Sequence, residues 1–137
     1  MKKLLAGSAL ALIASVGMAS AGDLTCLITK NNTNPFFVKM KEGAEAAATA
    51  AGMDFQAYAG VTDGDAAPQI NAIENCVAAG AKGILITPSN DSVGPALIDA
   101  RTAGVLVIAL DTPLADKNAQ DMTLSLIHIS EPTRLGM

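Results

Sequence analysis

Four short apolar runs recur along the chain at intervals of about 20 to 30 residues, and this alternation limits the fold more than any other feature. Nearly continuous apolar character is typical of strands in a parallel sheet that is buried on both faces. The predicted strands are Leu24–Ile28, the weaker Phe55–Tyr58, Gly83–Thr87 and Val105–Leu110. Helical patterns fill the intervals between them. The sequence therefore predicts right-handed βαβ units and an α/β fold, a flavodoxin-like, three-layer lobe with four parallel strands and helices on both faces of the sheet.

Capping residues and apolar spacing define three helices between these strands. The first helix has Asn34 as its N-cap, Pro35 at its first position and Gly52 just past its end, which is the usual placement of these residue types. Apolar residues at helical spacing predict the side of each helix that faces the sheet. These inward stripes are Phe37, Met40, Ala44, Ala47, Ala48 and Ala51 in the first helix, Ile70, Ile73 and Val77 in the second, and Val93, Leu97, Ala100 and Ala103 in the third.

The amino-terminal residues have the pattern of a targeting segment. A basic start, Met1-Lys2-Lys3, precedes the apolar run Leu4–Met18 and the small residues Ala19-Ser20-Ala21. That order is typical of a secretory signal peptide, and the apolar run is shorter than the ~20 residues that a membrane-spanning helix needs. Residues 1–21 are therefore predicted to be a signal peptide that is cleaved after Ala21, which leaves a soluble, exported protein.

The carboxyl-terminal residues break the alternating pattern. The segment Leu124–Arg134 resembles the translation of an adapter that is used in preparing DNA sequencing libraries. We therefore predict that residues 124–137 are a non-native tail, that the lobe itself spans residues 22–123, and that the native protein continues beyond it. An ordinary strand over Leu124–Ile129 is the alternative. His128, the only histidine, lies in this tail, so no catalytic or metal-binding role is expected for it.

The charge balance and the motifs that are missing argue against several functions. Residues 22–123 hold six Lys or Arg and twelve Asp or Glu, a net charge of −6, whereas nucleic-acid binding needs clustered cations. The chain has no GxGxxG or GxxxxGK[ST] motif and no GxSxG nucleophile elbow. No paired nucleophile and base, and no group of metal ligands, stands out. The sequence therefore predicts a binding protein without a cofactor, not an enzyme, and a small flavodoxin-like hydrolase is the less favoured alternative.

The two cysteines leave one structural question open. Cys26 lies inside a predicted strand and Cys76 inside a predicted helix, where buried free thiols are common. An exported protein meets an oxidising compartment, in which two cysteines can instead form a disulfide. The sequence favours free thiols, with a disulfide as the alternative, because it does not give the Cα separation that a bridge requires.

Polar and aromatic residues follow the ends of the first and fourth predicted strands. Ligands of open parallel sheets bind at the carboxyl ends of the strands. Phe36 lies off the inward stripe of the first helix, where its ring can stack on the apolar face of a sugar, while Asn34 and Asp111 bond to its hydroxyl groups. Lys30 lies at the same rim. Each has a structural alternative, respectively a hydrophobic staple with Phe37, a helix cap, a loop cap and a solvated side chain.

Three blocks of sequence, taken in order, resemble one protein family. They are Asn34-Pro35-Phe36-Phe37 with Lys39–Gly43, then Gly83–Pro88, then Val107–Pro113. The stretch from Leu24 to about Asp121 is similar to the periplasmic sugar-binding proteins of ABC importers, of the ribose- and fructose-binding type. The resemblance implies a type I periplasmic binding protein fold, of which this chain holds the first of two lobes that close on a sugar like a clamp. It also implies a periplasmic location, a monosaccharide ligand, a membrane permease as partner, and a monomer.

The family's motifs also imply ligand contacts. The residues that the resemblance marks as sugar contacts are Asn34, Phe36, Phe37 and Asp111, with Lys30 as a weaker assignment from arabinose-binding relatives. Ribose binders often have an arginine after the aspartate, whereas this chain has Thr112, which looks closer to fructose-type members. The identity of the sugar stays open, and service to a chemoreceptor or sensor kinase remains an alternative to transport. Because one lobe holds half of the site, weak or undetectable sugar binding by this chain alone is expected.

Overall fold

The computed structural model describes residues 22–124. The predicted signal peptide, residues 1–21, lies outside the described residues, as do residues 125–137 of the predicted tail with His128. Strands and helices alternate along the described chain. They are β1 (Leu24–Thr29), α1 (Pro35–Ala50), β2 (Asp54–Ala59), α2 (Ala67–Ala78), β3 (Gly83–Ile86), α3 (Gly94–Thr102), β4 (Leu106–Leu110) and β5 (Met122–Leu124), with short 3-10 turns at Asp91–Val93 and Lys117–Ala119. Within this range no helix is long and apolar enough to cross a bilayer.

All neighbouring strands of the sheet are parallel, in the order β2-β1-β3-β4-β5. This is the flavodoxin-like order of a doubly wound sheet, so the predicted α/β fold is confirmed. The prediction of four strands is wrong, because β5 adds a fifth at the edge, with Leu124 opposite Leu110. A strand of three residues has no apolar run long enough to stand out in the sequence.

The main core lies between the sheet and the pair α2 and α3. Side chains alternate between the two faces along a strand, and Ile28, Ile86 and Val107 point to the α2 and α3 side, where Ile73 and Leu97 meet them. Each of these five side chains is at most 1% exposed. Burying one aliphatic side chain of this size contributes about 1.5–3 kcal/mol, so this layer contributes strongly to the stability of the fold.

The helix α1 covers the opposite face, as right-handed crossovers require when β1 leads to β2 and β2 leads back past β1 to β3. Leu27 is fully buried on that side, and Phe37 and Ala48 are the buried residues of α1. The predicted stripe of α1 is only partly right, because Ala47 and Ala51 are exposed. A helix that packs mainly against β1 and β2 buries a narrower side than the apolar spacing suggests.

The same face is uncovered at the far edge of the sheet in the described part of the chain. Leu106, Met122 and Leu124 are each about half exposed. Leu106 and the register partners of Met122 and Leu124 alternate along β4 with residues that face α2 and α3, so all three exposed side chains lie on the opposite face of the sheet. The described lobe therefore has three helices but an unequal covering of its two faces.

The buried side of α2 also differs from the prediction. Gln69 and Cys76 are buried together with Ile73, whereas Ile70 and Val77 are half-buried. The helix is turned slightly from the predicted orientation, so that a polar residue and a cysteine face the sheet. In α3, Leu97 and Ala100 are buried as predicted, but Ala103 follows the helix as its exposed C-cap.

A disulfide joins Cys26 of β1 to Cys76 of α2. Both residues are fully buried, and their Cα atoms are 6.4 Å apart, within the range that a bridge spans. The favoured expectation of free thiols is wrong. The disulfide forms because of the orientation of α2. The rotation of this helix that buries Cys76 also places Cys76 against Cys26 in the adjacent layer.

Candidate functional site

The crevice at the carboxyl edge of the sheet is the candidate site. β1 and β3 are neighbours in the sheet, but the chain leaves β1 toward β2 on one side and β3 toward β4 on the other. The helices that follow β1 and β3 therefore lie on opposite faces, and their divergence opens a crevice between the two strand ends. Residues directly after β1, β2, β3 and β4 surround it, so these loops are the candidate contacts.

Lys30 and Asp111 come together at this edge through Thr112. The Lys30 ammonium donates a hydrogen bond to Thr112 Oγ1 at 3.2 Å, and the Thr112 hydroxyl lies 3.5 Å from Asp111 Oδ2. All three residues are partly exposed. The group combines a cationic donor, an anionic acceptor and a hydroxyl that both donates and accepts, which suits a ligand with several hydroxyl groups.

The backbone of Asp111 has an unusual conformation. With φ of 66°, it is the one non-glycine residue at positive φ among residues 22–124, in the left-handed region that aspartate tolerates better than most residues. Its N–H donates to Leu124 O at 2.8 Å, and the next N–H, of Thr112, donates to Leu110 O at 2.7 Å. The chain therefore turns sharply as β4 ends, and such conformations concentrate at ligand sites.

The loop after β1 presents one aromatic ring and buries the other. Asn34 is the N-cap of α1, as predicted, and its Oδ1 accepts a hydrogen bond from the Phe36 N–H at 3.0 Å. Phe36 is 39% exposed, whereas Phe37 is 5% exposed. The two rings meet edge to face, with centroids 5.3 Å apart. The ring of Phe36 is thus the one that is open to a ligand, and Phe37 supports that ring from the core.

The buried amide of Asn31 organises this loop, although the sequence patterns did not single it out. Its Oδ1 accepts hydrogen bonds from the N–H groups of Thr33 at 3.1 Å and Asn34 at 2.9 Å. Its Nδ2 donates to Asp63 Oδ1 at 2.6 Å, which ties the loop after β1 to the loop after β2. An asparagine so soon after a buried strand was the available signal, because such a side chain needs partners when the loop folds back.

Two further buried polar residues, Gln69 and Thr87, were also missed. Thr87 directly follows β3, and its Oγ1 accepts a hydrogen bond from the Lys30 N–H at 3.1 Å. Gln69 donates from Nε2 to Thr29 O at 3.1 Å and to Thr87 O at 2.9 Å, and its Oε1 accepts from the Ser89 N–H at 2.8 Å. Gln69 lies four positions before Ile73, a predicted core residue of α2, and this spacing places Gln69 on the buried side of the helix. That spacing was the available signal in the sequence.

The close approach of the β2 loop to Lys30 requires a glycine at position 60. The Gly60 N–H donates to Thr29 O at 2.9 Å, and a Cβ atom at this position would lie 2.4 Å from the Lys30 carbonyl oxygen. That distance is far inside van der Waals contact. The absence of a side chain at Gly60 therefore sets the path of the chain as it leaves β1.

The structure gathers the predicted residues into two groups at one edge. Lys30 and Asp111 form the first group, and Asn34, Phe36 and Phe37 form the second. Among residues 22–124 no hydrogen bond joins the two groups directly, and no three His, Cys, Asp or Glu side chains cluster as metal ligands. The arrangement can bind a neutral polar ligand that also has an apolar face.

Comparison with known proteins identifies the family to which this α/β lobe belongs. Residues 25–126 match the family model described as a periplasmic binding protein domain. The chain belongs to the periplasmic binding protein family. The predicted resemblance to the sugar-binding proteins of ABC importers is thereby confirmed at the level of the family and of its sugar-binding relatives.

Curated relatives and solved structures agree with this assignment. The chain is 32% identical to the D-apiose import binding protein of Paraburkholderia graminis over 90% of this chain and 38% of the relative. It is 35% identical to the ribose import binding protein of Haemophilus influenzae over 86% of this chain and 41% of the relative. A periplasmic ribose ABC transporter structure from Conexibacter woesei matches with a TM-score of 0.66 and 31% identity, over 76% of this chain and 35% of that one. The chain thus spans about two fifths of the length of these curated relatives.

Proposed function

We propose that residues 22–123 form one lobe of an exported solute-binding protein, which binds a monosaccharide reversibly in the periplasm and delivers it to the membrane permease of an ABC importer. The observation that carries the proposal is the hydrogen-bonded group of Lys30, Thr112 and Asp111, at the same sheet edge as the exposed ring of Phe36. Binding without chemistry is proposed, and the relatives support it because they are named as binding proteins.

Each proposed contact recognises a different part of the sugar. Asp111 accepts and Lys30 donates hydrogen bonds to hydroxyl groups, and a hydrogen bond to a charged group contributes about 1.5–3 kcal/mol. Phe36 stacks on the apolar C–H face of the ring, and the Asn34 side-chain amide is placed beside it as a further donor. Phe37 contributes by holding Phe36, since its own ring is buried.

The proposed ligand is a fructose- or ribose-like monosaccharide. Relatives of this chain are named for import of D-apiose and of ribose, and a structural neighbour that is 28% identical, from Actinobacillus succinogenes, holds D-allose. In this chain Thr112, directly after Asp111, shares a hydrogen bond with the Lys30 ammonium. A lysine is a compact point donor and lacks the planar, two-pronged geometry of arginine. We therefore expect this site to require a fixed pair of sugar hydroxyl groups less strictly than a site with an arginine would.

The proposal extends to the organisation of the whole protein. Residues 1–21 are a signal peptide cleaved after Ala21, residues 124–137 are a non-native tail, and the native protein continues into a second lobe that closes over the sugar. The binding protein works as a monomer. On this proposal the present chain holds half of the contacts and binds sugar weakly or undetectably by itself.

Calorimetric titration of the complete gene product tests the function. Ribose, fructose, arabinose, allose and apiose are titrated into the wild type, into Asp111→Asn and into Phe36→Ala. Asp111→Asn keeps a residue type that tolerates positive φ, and Val38→Ala is a matched control because Val38 is also 39% exposed on α1.

The proposal expects one or more of these sugars to bind with micromolar or tighter affinity. Asp111→Asn and Phe36→Ala should each weaken that affinity at least tenfold, about 1.4 kcal/mol, whereas Val38→Ala should change it less than twofold. A wild type that binds none of the five sugars contradicts the proposal, and so does micromolar binding by this 137-residue chain alone.

A further inference from the structure

We propose that Gln69 is a positioning residue of the sugar site, acting as a buried amide clasp across the strand ends that carry the ligand contacts. The inference rests on the proposed function and concerns the same site. Gln69 lies in the first turn of α2 and is fully buried, so it does not itself reach a ligand in the crevice.

The partners of Gln69 lie at or just after the ends of the two strands that flank the switch point. One amide group donates to the carbonyl oxygens of Thr29, at the end of β1, and Thr87, just after β3, and accepts from the N–H of Ser89. β1 and β3 are adjacent in the sheet, and the crevice opens where their chains diverge. The clasp therefore spans the point where the regular ladder stops. Gln69 supplies a donor to the Thr87 carbonyl oxygen and a second donor, besides the Gly60 N–H, to the Thr29 carbonyl oxygen.

The two residues whose carbonyl groups bond to Gln69 are both directly connected to Lys30 of the rim. Lys30 follows Thr29, and its N–H donates to the Thr87 hydroxyl at 3.1 Å. Its ammonium in turn reaches Thr112 beside Asp111. Fixing the ends of β1 and β3 relative to each other thus fixes the base of the Lys30 side chain, and through it the spacing between the donor and the acceptor of the proposed site.

An amide is the side chain that suits this place. It has two N–H donors and a carbonyl acceptor in one plane, which matches two carbonyls and one N–H. A carboxylate accepts only, and an apolar side chain of the same length makes none of the three bonds. The helix α2 is held to β1 by the Cys26–Cys76 disulfide two turns further on, so the amide is presented from a rigid element.

The test uses the complete gene product and the variant Gln69→Met, which keeps the buried length and removes all three hydrogen bonds. The matched control is Ile73→Val, because Ile73 is equally buried one turn later on α2 and touches no strand-end carbonyl by hydrogen bonding. Sugar affinity is measured by calorimetry, stability by urea unfolding, and the exchange of the Lys30 and Ser89 amide hydrogens by mass spectrometry or NMR. Gln69→Leu, which likewise removes all three hydrogen bonds, replaces Gln69→Met if that variant does not fold.

Gln69→Met is expected to raise the Kd for the sugar at least tenfold and to speed amide exchange at Lys30 and Ser89, while Ile73→Val leaves the Kd within twofold. A wild type that binds sugar together with a Gln69→Met variant of unchanged Kd overturns this inference alone. An equal rise in Kd for Ile73→Val also overturns it, because a general loss of stability would then explain the effect. A wild type that binds no sugar overturns the proposed function, and the positioning role with it.

Discussion

Reduction of the Cys26–Cys76 disulfide is expected to destabilise the lobe strongly. The bridge closes a loop with a sequence separation of 50 residues, and restricting a loop of that length in the unfolded chain contributes about 4 kcal/mol. Both sulfur atoms remain in place as buried thiols after reduction, so packing in the folded state changes little. A domain of this size has an unfolding free energy of about 5–15 kcal/mol, so the loss is a large fraction of the total.

Urea unfolding followed by circular dichroism, with and without a phosphine reductant, measures this loss. With a urea m-value of about 1–3 kcal/mol per M for small proteins, the midpoint should fall by more than about 1 M on reduction. The Cys26→Ala/Cys76→Ala variant is the control, and reductant should leave its midpoint unchanged. Two thiols that titrate in the unfolded protein before any reductant is added would refute the reasoning, and so would midpoints that agree within about 0.3 M.

Two further predictions concern single contacts. Gly60→Ala forces a methyl group against the Lys30 carbonyl oxygen and should lower the free energy of unfolding in urea by about 1–3 kcal/mol. Gly43→Ala, which has open space around its Cβ, should instead stabilise α1 by about 0.5–1 kcal/mol. Equal effects of the two substitutions would contradict the close approach at Gly60. Asp121 accepts hydrogen bonds from Arg101 and from a backbone N–H, and the Arg101 guanidinium in particular holds the pKa of Asp121 below its usual value. A carboxyl group whose pKa is lower in the folded state than in the unfolded state stabilises the fold at pH values above the unfolded-state pKa, and this stabilisation is lost as the pH falls through the folded-state pKa. Asp121→Asn should therefore destabilise the fold by about 1 kcal/mol at pH 7 and progressively less below about pH 4. A difference in stability that persists undiminished at low pH would be evidence against this ion pair.

The fold was predictable because local and long-range signals agree at the elements that carry it. Asn34 and Pro35 mark the start of α1 by their own backbone chemistry, and the apolar runs of β1, β3 and β4 leave few alternatives to a buried parallel sheet. β5 was not predicted because a three-residue edge strand depends on its neighbour for its structure. The Cys26–Cys76 pairing was not predicted for a similar reason, since it depends on the rotation of α2, which apolar spacing defines only to within about one residue.

The residues that we propose as ligand contacts could be selected from the sequence, whereas the buried residues behind them could not. Asp111 and Lys30 stand directly after strands and Phe36 lies near the cap of α1, which makes them candidates, and the family resemblance adds the prediction that they contact a sugar. Asn31 and Gln69 are recognised only when their burial and partners are known, because a polar side chain in a sequence looks solvated until the fold encloses it. The left-handed backbone of Asp111 is likewise a property of the folded turn.

Reading the gene again across codon 123, from fresh source DNA, distinguishes one lobe of a two-lobed sugar clamp from a protein with a single lobe. For a two-lobed protein we expect the reading frame to depart from the Leu124–Met137 sequence and to continue into a second alternating α/β segment with its own polar strand ends. A frame that encodes Leu124–Met137 as given and then stops would contradict it, because a single lobe has no partner with which to close on a sugar.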